Sequence, residues 1–112
     1  MVLEAYEEEV LSSMYDNQII GMNYKPIQIV ASKIGWREIA SKHKVRKSFQ
    51  NVVRHLHSKG YVDLHGKSGN VASLSRLGVE YVIGKIQELR KALSNDTNNA
   101  NNTDREGKSF QV

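Results

Sequence analysis

At 112 residues, with 39% apolar side chains, the chain suffices for one small domain with a modest core. It carries no cysteine, which excludes a disulfide framework, a thiolate zinc site and a thiol nucleophile. The formal net charge of +4 favours polyanions or anionic membranes; no apolar run approaches the ~20 residues that a membrane-spanning helix needs, and no membrane partner is expected.

Charge is distributed unevenly. Residues 1–16 hold Glu4, Glu7, Glu8, Glu9 and Asp16 and no Lys or Arg. Residues 25–67 hold ten Lys and Arg against Glu38 and Asp63, and all four histidines. The acidic start is unlike a secretory signal, so an intracellular location is expected.

In chain order, Leu3, Tyr6, Val10, Leu11 and Met14 fall at helical spacing and predict a helix over 3–16. The run Glu7, Glu8 and Glu9 reads as an exposed part of it, suited to a helix N-terminus. Residues 17–25 are ambiguous, with Ile19, Ile20 and Met22 compatible with a short strand. Pro26 then opens a short helix over 26–34 that Gly35 stops. A further helix is expected over 36–43, with Ile39 and Ala40 inward and Trp36 in the core.

A turn at Lys44-Val45 leads to a longer helix over 46–59. Phe49, Val52, Val53 and Leu56 form its buried stripe, and Gly60 ends it. No Ser, Thr, Asp or Asn stands at the N-cap of a helix beginning at 46, so the sequence leaves its start open by a few residues. Residues 61–65 and 71–74 read as two strands of a hairpin around Gly66-Lys67-Ser68-Gly69-Asn70. Ser75 caps a last helix over 76–93, whose Val79, Val82, Ile86, Leu89 and Leu93 step by 3 and 4 in a short heptad seam. That seam can bury against the domain or pair with a second copy, giving a homodimer through the C-terminal helix. Residues 94–112 are polar and Asn-rich and read as a disordered tail, leaving 1–93 as the domain.

With the stripe of helix 46–59 buried, its opposite face presents Arg46, Lys47, Gln50, Asn51, Arg54 and Ser58. In a DNA major groove, Arg46 or Lys47 can donate to guanine O6 and N7, and Gln50 or Asn51 can pair bidentately with adenine. Arg54 and Ser58, further along, and Lys42 and Lys44 around the turn suit phosphate. Lys67, with Ser68 and Asn70, sits at the hairpin tip, where it can reach backbone or minor groove.

Other signals carry less. Gly60-x5-Gly66-Lys67-Ser68 has one intervening residue too many for a phosphate loop, and a strand pattern follows it instead of a helix. His55 and His57, two apart on a helix, point to different sides, so no metal site is expected there. No nucleophile–base or paired-carboxylate arrangement is visible. Neither an enzyme nor a cofactor is therefore expected.

The pattern Ile39-Ala40, Val45, Phe49, Leu56-x-x-Lys59-Gly60-Tyr61-Val62 and Leu74-Ser75-x-x-Gly78 resembles winged-helix transcriptional regulators of bacteria and archaea over about residues 36–83. The build as a whole, a short winged helix with a polar tail, is similar to small DNA-binding proteins of spindle-shaped viruses of hyperthermophilic archaea. The gap of roughly 20 residues between the first and second motif helices, which contains the apolar segment 26–34, departs from that pattern. The resemblance implies an α+β winged helix-turn-helix with a three-helix core, a two-stranded wing and a C-terminal helix. It implies sequence-specific binding of double-stranded DNA in transcription regulation, in the host cytoplasm if the protein is viral. The other reading is a winged-helix adaptor for protein or structured RNA.

Overall fold

The computed structural model describes residues 3–101, with side chains as far as Leu93. The fold is α+β. Its elements are α1 (Ala5–Asp16), β1 (Lys25–Pro26), α2 (Ile27–Ile34), α3 (Trp36–His43), α4 (Phe49–Ser58), β2 (Val62–His65), β3 (Val71–Leu74) and α5 (Arg76–Asn101). They fall into two compact units, Met1–Val82 and Ile83–Val112, divided within α5.

In the first unit, α1 buries Val10, Leu11 and Met14 completely, and Leu3 nearly so. Glu7 lies on the same stripe and is also fully buried, which corrects the reading of residues 7–9 as an exposed acidic run. The spacing explains it: Glu7 stands four residues from Leu3 and Leu11 and three from Val10, on one helical face. Burial of a carboxyl group demands partners. Its Oε1 accepts from the Glu4 backbone N–H at 2.9 Å, which also satisfies one orphan donor of the helix start.

The ambiguous segment 17–25 supplies the third strand. Lys25 and Pro26 pair antiparallel with Ala72 and Val71, giving the sheet order β1-β3-β2. Pro26 is tolerated because β1 is an edge strand, where a missing N–H breaks no ladder. The sheet is thus three-stranded, one strand more than the hairpin alone. Val62↔Leu74 through His65↔Val71 set the register of β2 on β3. Buried Ile19 precedes a single bridge between Ile20 and Leu74, with the Leu74 N–H donating to the Ile19 carbonyl at 2.8 Å.

The core draws on all of α1 to α4 and on the sheet, with Ile27, Val30 and Ile34 of α2 among its members. It is therefore wider than three helices. Gly35, at φ +72, ends α2, and α3 begins at the next residue. A left-handed residue costs an L side chain, so glycine suits the break. Trp36 is half-buried, with its ring centroid 5.2 Å from Phe49 and 6.4 Å from Tyr6.

The start of α5 gives the Leu74-Ser75-x-x-Gly78 pattern its physical meaning. Ser75 Oγ accepts from the Gly78 N–H at 3.1 Å and donates to the Gly60 carbonyl, so one hydroxyl caps α5 and ties it to the end of α4. A Cβ at Gly78 would stand 2.2 Å from the Tyr61 carbonyl oxygen, so only glycine permits this approach.

In the second unit the helical backbone continues to Asn101, past the expected end at 93. Lys85 and Glu88 pair at 3.8 Å there, and Ile83 and Leu89 are 37% and 66% exposed. The polar tail predicted for 94–112 lies outside the described residues from 102 onward, as do its side chains from 94. Among the described residues no helix is long and apolar enough to cross a membrane.

Candidate nucleic-acid interface

The interface builds outward from α4. Phe49, Val52, Val53 and Leu56 are each at most 6% exposed, and Gln50, Asn51, Arg54, His55, His57 and Ser58 line the outer face. At 100° per residue, Asn51, Arg54 and Ser58 fall on the crest of that face. Gln50 and His57 flank it on one side and His55 on the other.

The helix starts three residues later than position 46. Ser48 takes extended geometry and its Oγ accepts from the Asn51 N–H at 3.2 Å. It is the cap that an N-terminus at 46 seemed to lack. Arg46 and Lys47 consequently lie in the connection before α4, not on its face. Lys44, at φ +56, closes α3, and the Val45 N–H donates to the Ala40 carbonyl at 2.8 Å, fixing the turn. The two cations are thereby carried to the positive pole of α4, where a phosphate is also favoured by the helix dipole.

Lys44, Arg46, Lys47, Arg54 and Lys67 are all exposed, and among the described residues none of them forms an ion pair or side-chain hydrogen bond. Lys42 differs. Its ammonium pairs with Glu9 Oε2 at 2.9 Å, while His43 Nε2 meets Glu9 Oε1 at 2.9 Å. Hydrogen bonds from His43 and Lys42 hold the Glu9 carboxyl below its ordinary pKa. Ser58 Oγ donates to the His55 carbonyl at 2.6 Å, which leaves lone pairs rather than a proton for a phosphate. Of the expected phosphate ligands, these two are already engaged.

The histidines are structural as much as superficial. His55 Nδ1 lies 2.8 Å from buried Glu7 Oε2, His57 Nδ1 donates to the Val62 carbonyl at 2.8 Å, and His65 Nε2 lies 3.2 Å from Ser73 Oγ. Acidic α1 thus locks onto the basic helices through Glu7 and Glu9 rather than standing free. His65 also stacks on Tyr24, with ring centroids 4.4 Å apart, bracing the hairpin that carries Lys67.

Two concavities flank the start of α4. One, of about 590 Å³, is lined by His43, Lys44, Arg46 and Lys47 opposite Glu4, Ala5 and Tyr6. The other, of about 390 Å³, lies between α2, the start of α4 and the hairpin base, and contains Gln28, Gln50 and Asn70. Gln28 is a residue that sequence reasoning missed. The available signal was its place beside the inward Ile27 in the first turn of a helix after Pro26. Comparison with known proteins finds no matching protein-family description, curated protein or solved structure.

Proposed function

We propose that the chain is a winged-helix protein that binds double-stranded DNA sequence-specifically and regulates transcription by occupying its site. In this reading α4 lies in the major groove, the loop 66–70 is the wing, and β1 completes the small sheet beneath it. Among the described residues, five helices with a three-stranded antiparallel sheet suit such a domain.

The observation that carries the reading is the division of α4. Its four apolar side chains are held in the core, while Asn51 and Arg54 on its crest and Arg46 and Lys47 at its positive pole stay in solvent without intramolecular ion pairs among the described residues. Arg and Lys side chains that no carboxylate neutralises suit the duplex backbone. The amides of Gln50 and Asn51 offer paired donors and acceptors to base edges. Because Arg46 and Lys47 precede the helix, their role is phosphate contact alongside Arg54, and base reading passes to Gln50 and Asn51.

The test is selection from a random duplex pool, repeated with Arg46, Lys47 and Arg54 all changed to Ala. A motif enriched by the wild type and retention lost in the triple variant are expected. Failure to retain any duplex would remove the reading. A partner protein or folded RNA captured equally by both forms would favour the adaptor instead.

A further inference from the structure

The two concavities beside α4 differ in chemistry. The 590 Å³ groove carries Lys44, Arg46 and Lys47, whereas no charged side chain lines the 390 Å³ groove. The neutral groove has an apolar side made of Pro26, Ile27, Ala31 and Phe49, and three amides from three elements. Those amides belong to exposed Gln28 of α2, Gln50 of α4 and Asn70 of the hairpin loop. Among the described residues none of the three side chains has a hydrogen-bond partner. The Ile27 N–H donates to the Asn70 carbonyl at 2.9 Å, so α2 and the hairpin are fixed to each other at this point.

An anion finds no counter-charge in such a lining, whereas a base edge matches both the amides and the apolar wall. In the major groove an A·T pair shows an acceptor and donor on adenine beside the 5-methyl of thymine, a pairing of polar and apolar features that no G·C pair presents. Gln50 matches the adenine edge, and the apolar wall next to it matches the methyl. Resting on the DNA-binding reading above, we propose that the neutral groove is a subsite selecting one A·T pair, with the thymine methyl seated against Phe49 and Ala31 and Gln50 hydrogen-bonded to the adenine. Gln28 and Asn70 border the methyl on the sides away from the Gln50 amide's helix. They are specificity residues contributed by elements outside α4.

The experiment takes the duplex recovered by selection and replaces each thymine in turn with deoxyuridine, which removes only the methyl. For the wild type, one position is expected to lose about four-fold in affinity, the equivalent of burying one methyl at ~0.8 kcal/mol. That sensitivity should vanish in Gln50→Ala and in Ala31→Leu, which fills the groove. Gln50 is exposed, so its variant keeps the fold even if Ala31→Leu does not; thermal melting checks both. Lys47→Ala should weaken all duplexes alike and leave the uracil ratio intact. Retained binding with no uracil-sensitive position, or with sensitivity unchanged in Gln50→Ala, would overturn the subsite while sparing the DNA-binding reading. Retention of no duplex at all would overturn both.

Discussion

Glu7→Ala tests whether the buried contact between α1 and α4 holds the domain together. Glu7 is fully buried, accepts from the Glu4 N–H at 2.9 Å and meets His55 Nδ1 at 2.8 Å. Truncation removes both hydrogen bonds, at roughly 1 kcal/mol each, and leaves Glu4 and His55 to rehydrate. It also removes one packed methylene, Cγ, worth about 0.8 kcal/mol. His55 is 46% exposed, so its ring recovers water and the full penalty of an orphaned buried charge does not apply. The expected loss is about 2–4 kcal/mol, partly offset by the better helix propensity of Ala. For a domain of this size that lowers Tm by about 8 °C or more. Urea denaturation of wild type, Glu7→Ala, His55→Ala and the double variant measures it, with a coupling of about 1 kcal/mol or more between the two sites. Unfolding midpoints within about 0.5 kcal/mol of wild type, or additive effects in the cycle, would refute the account of α1.

Glycine positions give opposite outcomes along one helix. Gly78→Ala drives a Cβ to 2.2 Å from the Tyr61 carbonyl oxygen and should destabilise by several kcal/mol or prevent folding, whereas Gly84, with open space around its Cβ position, should gain about 0.5–1 kcal/mol on change to Ala. Thermal melts of the two variants separate them. Ser48→Ala removes the α4 cap and should cost about 1 kcal/mol, with weaker DNA retention because the turn carrying Arg46 and Lys47 loosens. The Glu9 pKa is lowered by His43 and Lys42, so the folded state favours its ionised form. The stabilisation is present above the ordinary value of 4.5 and is lost as pH falls through the lower folded value. With Glu9 a third exposed, its size is about 0.2–1 kcal/mol. Glu9→Gln should therefore narrow the stability difference between neutral and acid pH, read from urea midpoints across that range.

Much of the fold was legible because burial leaves a periodic trace. Phe49, Val52, Val53 and Leu56 predict the inward face of α4 at 3–4 spacing, and Ser75 with Gly78 marks the start of α5. What the sequence hid was nonlocal. β1 is two residues long and holds only by pairing with β3, so nothing in Lys25-Pro26 alone announces a strand. Glu7 looked solvated because Glu8 and Glu9 adjoin it, yet neighbours in sequence point 100° apart on a helix. The start of α4 is fixed locally: Ser48 caps it, so residues 46 and 47, expected within the helix, precede it. That shift of three residues changes the chemistry assigned to Arg46 and Lys47 from base edge to phosphate. Position along the chain points to Lys42 and Ser58 as phosphate ligands, but their engagement with Glu9 and the His55 carbonyl depends on three-dimensional neighbours and rotamers.

The proposal that five unneutralised cations grip a duplex is tested most directly by affinity against salt. If Lys44, Arg46, Lys47, Arg54 and Lys67 each meet a phosphate, log affinity should fall against log salt with a slope of about −4.5, or about 500-fold between 50 and 200 mM. Changing Arg46, Lys47 and Arg54 to Ala should flatten that slope to about −2. A wild-type affinity that stays level across the titration would contradict the account.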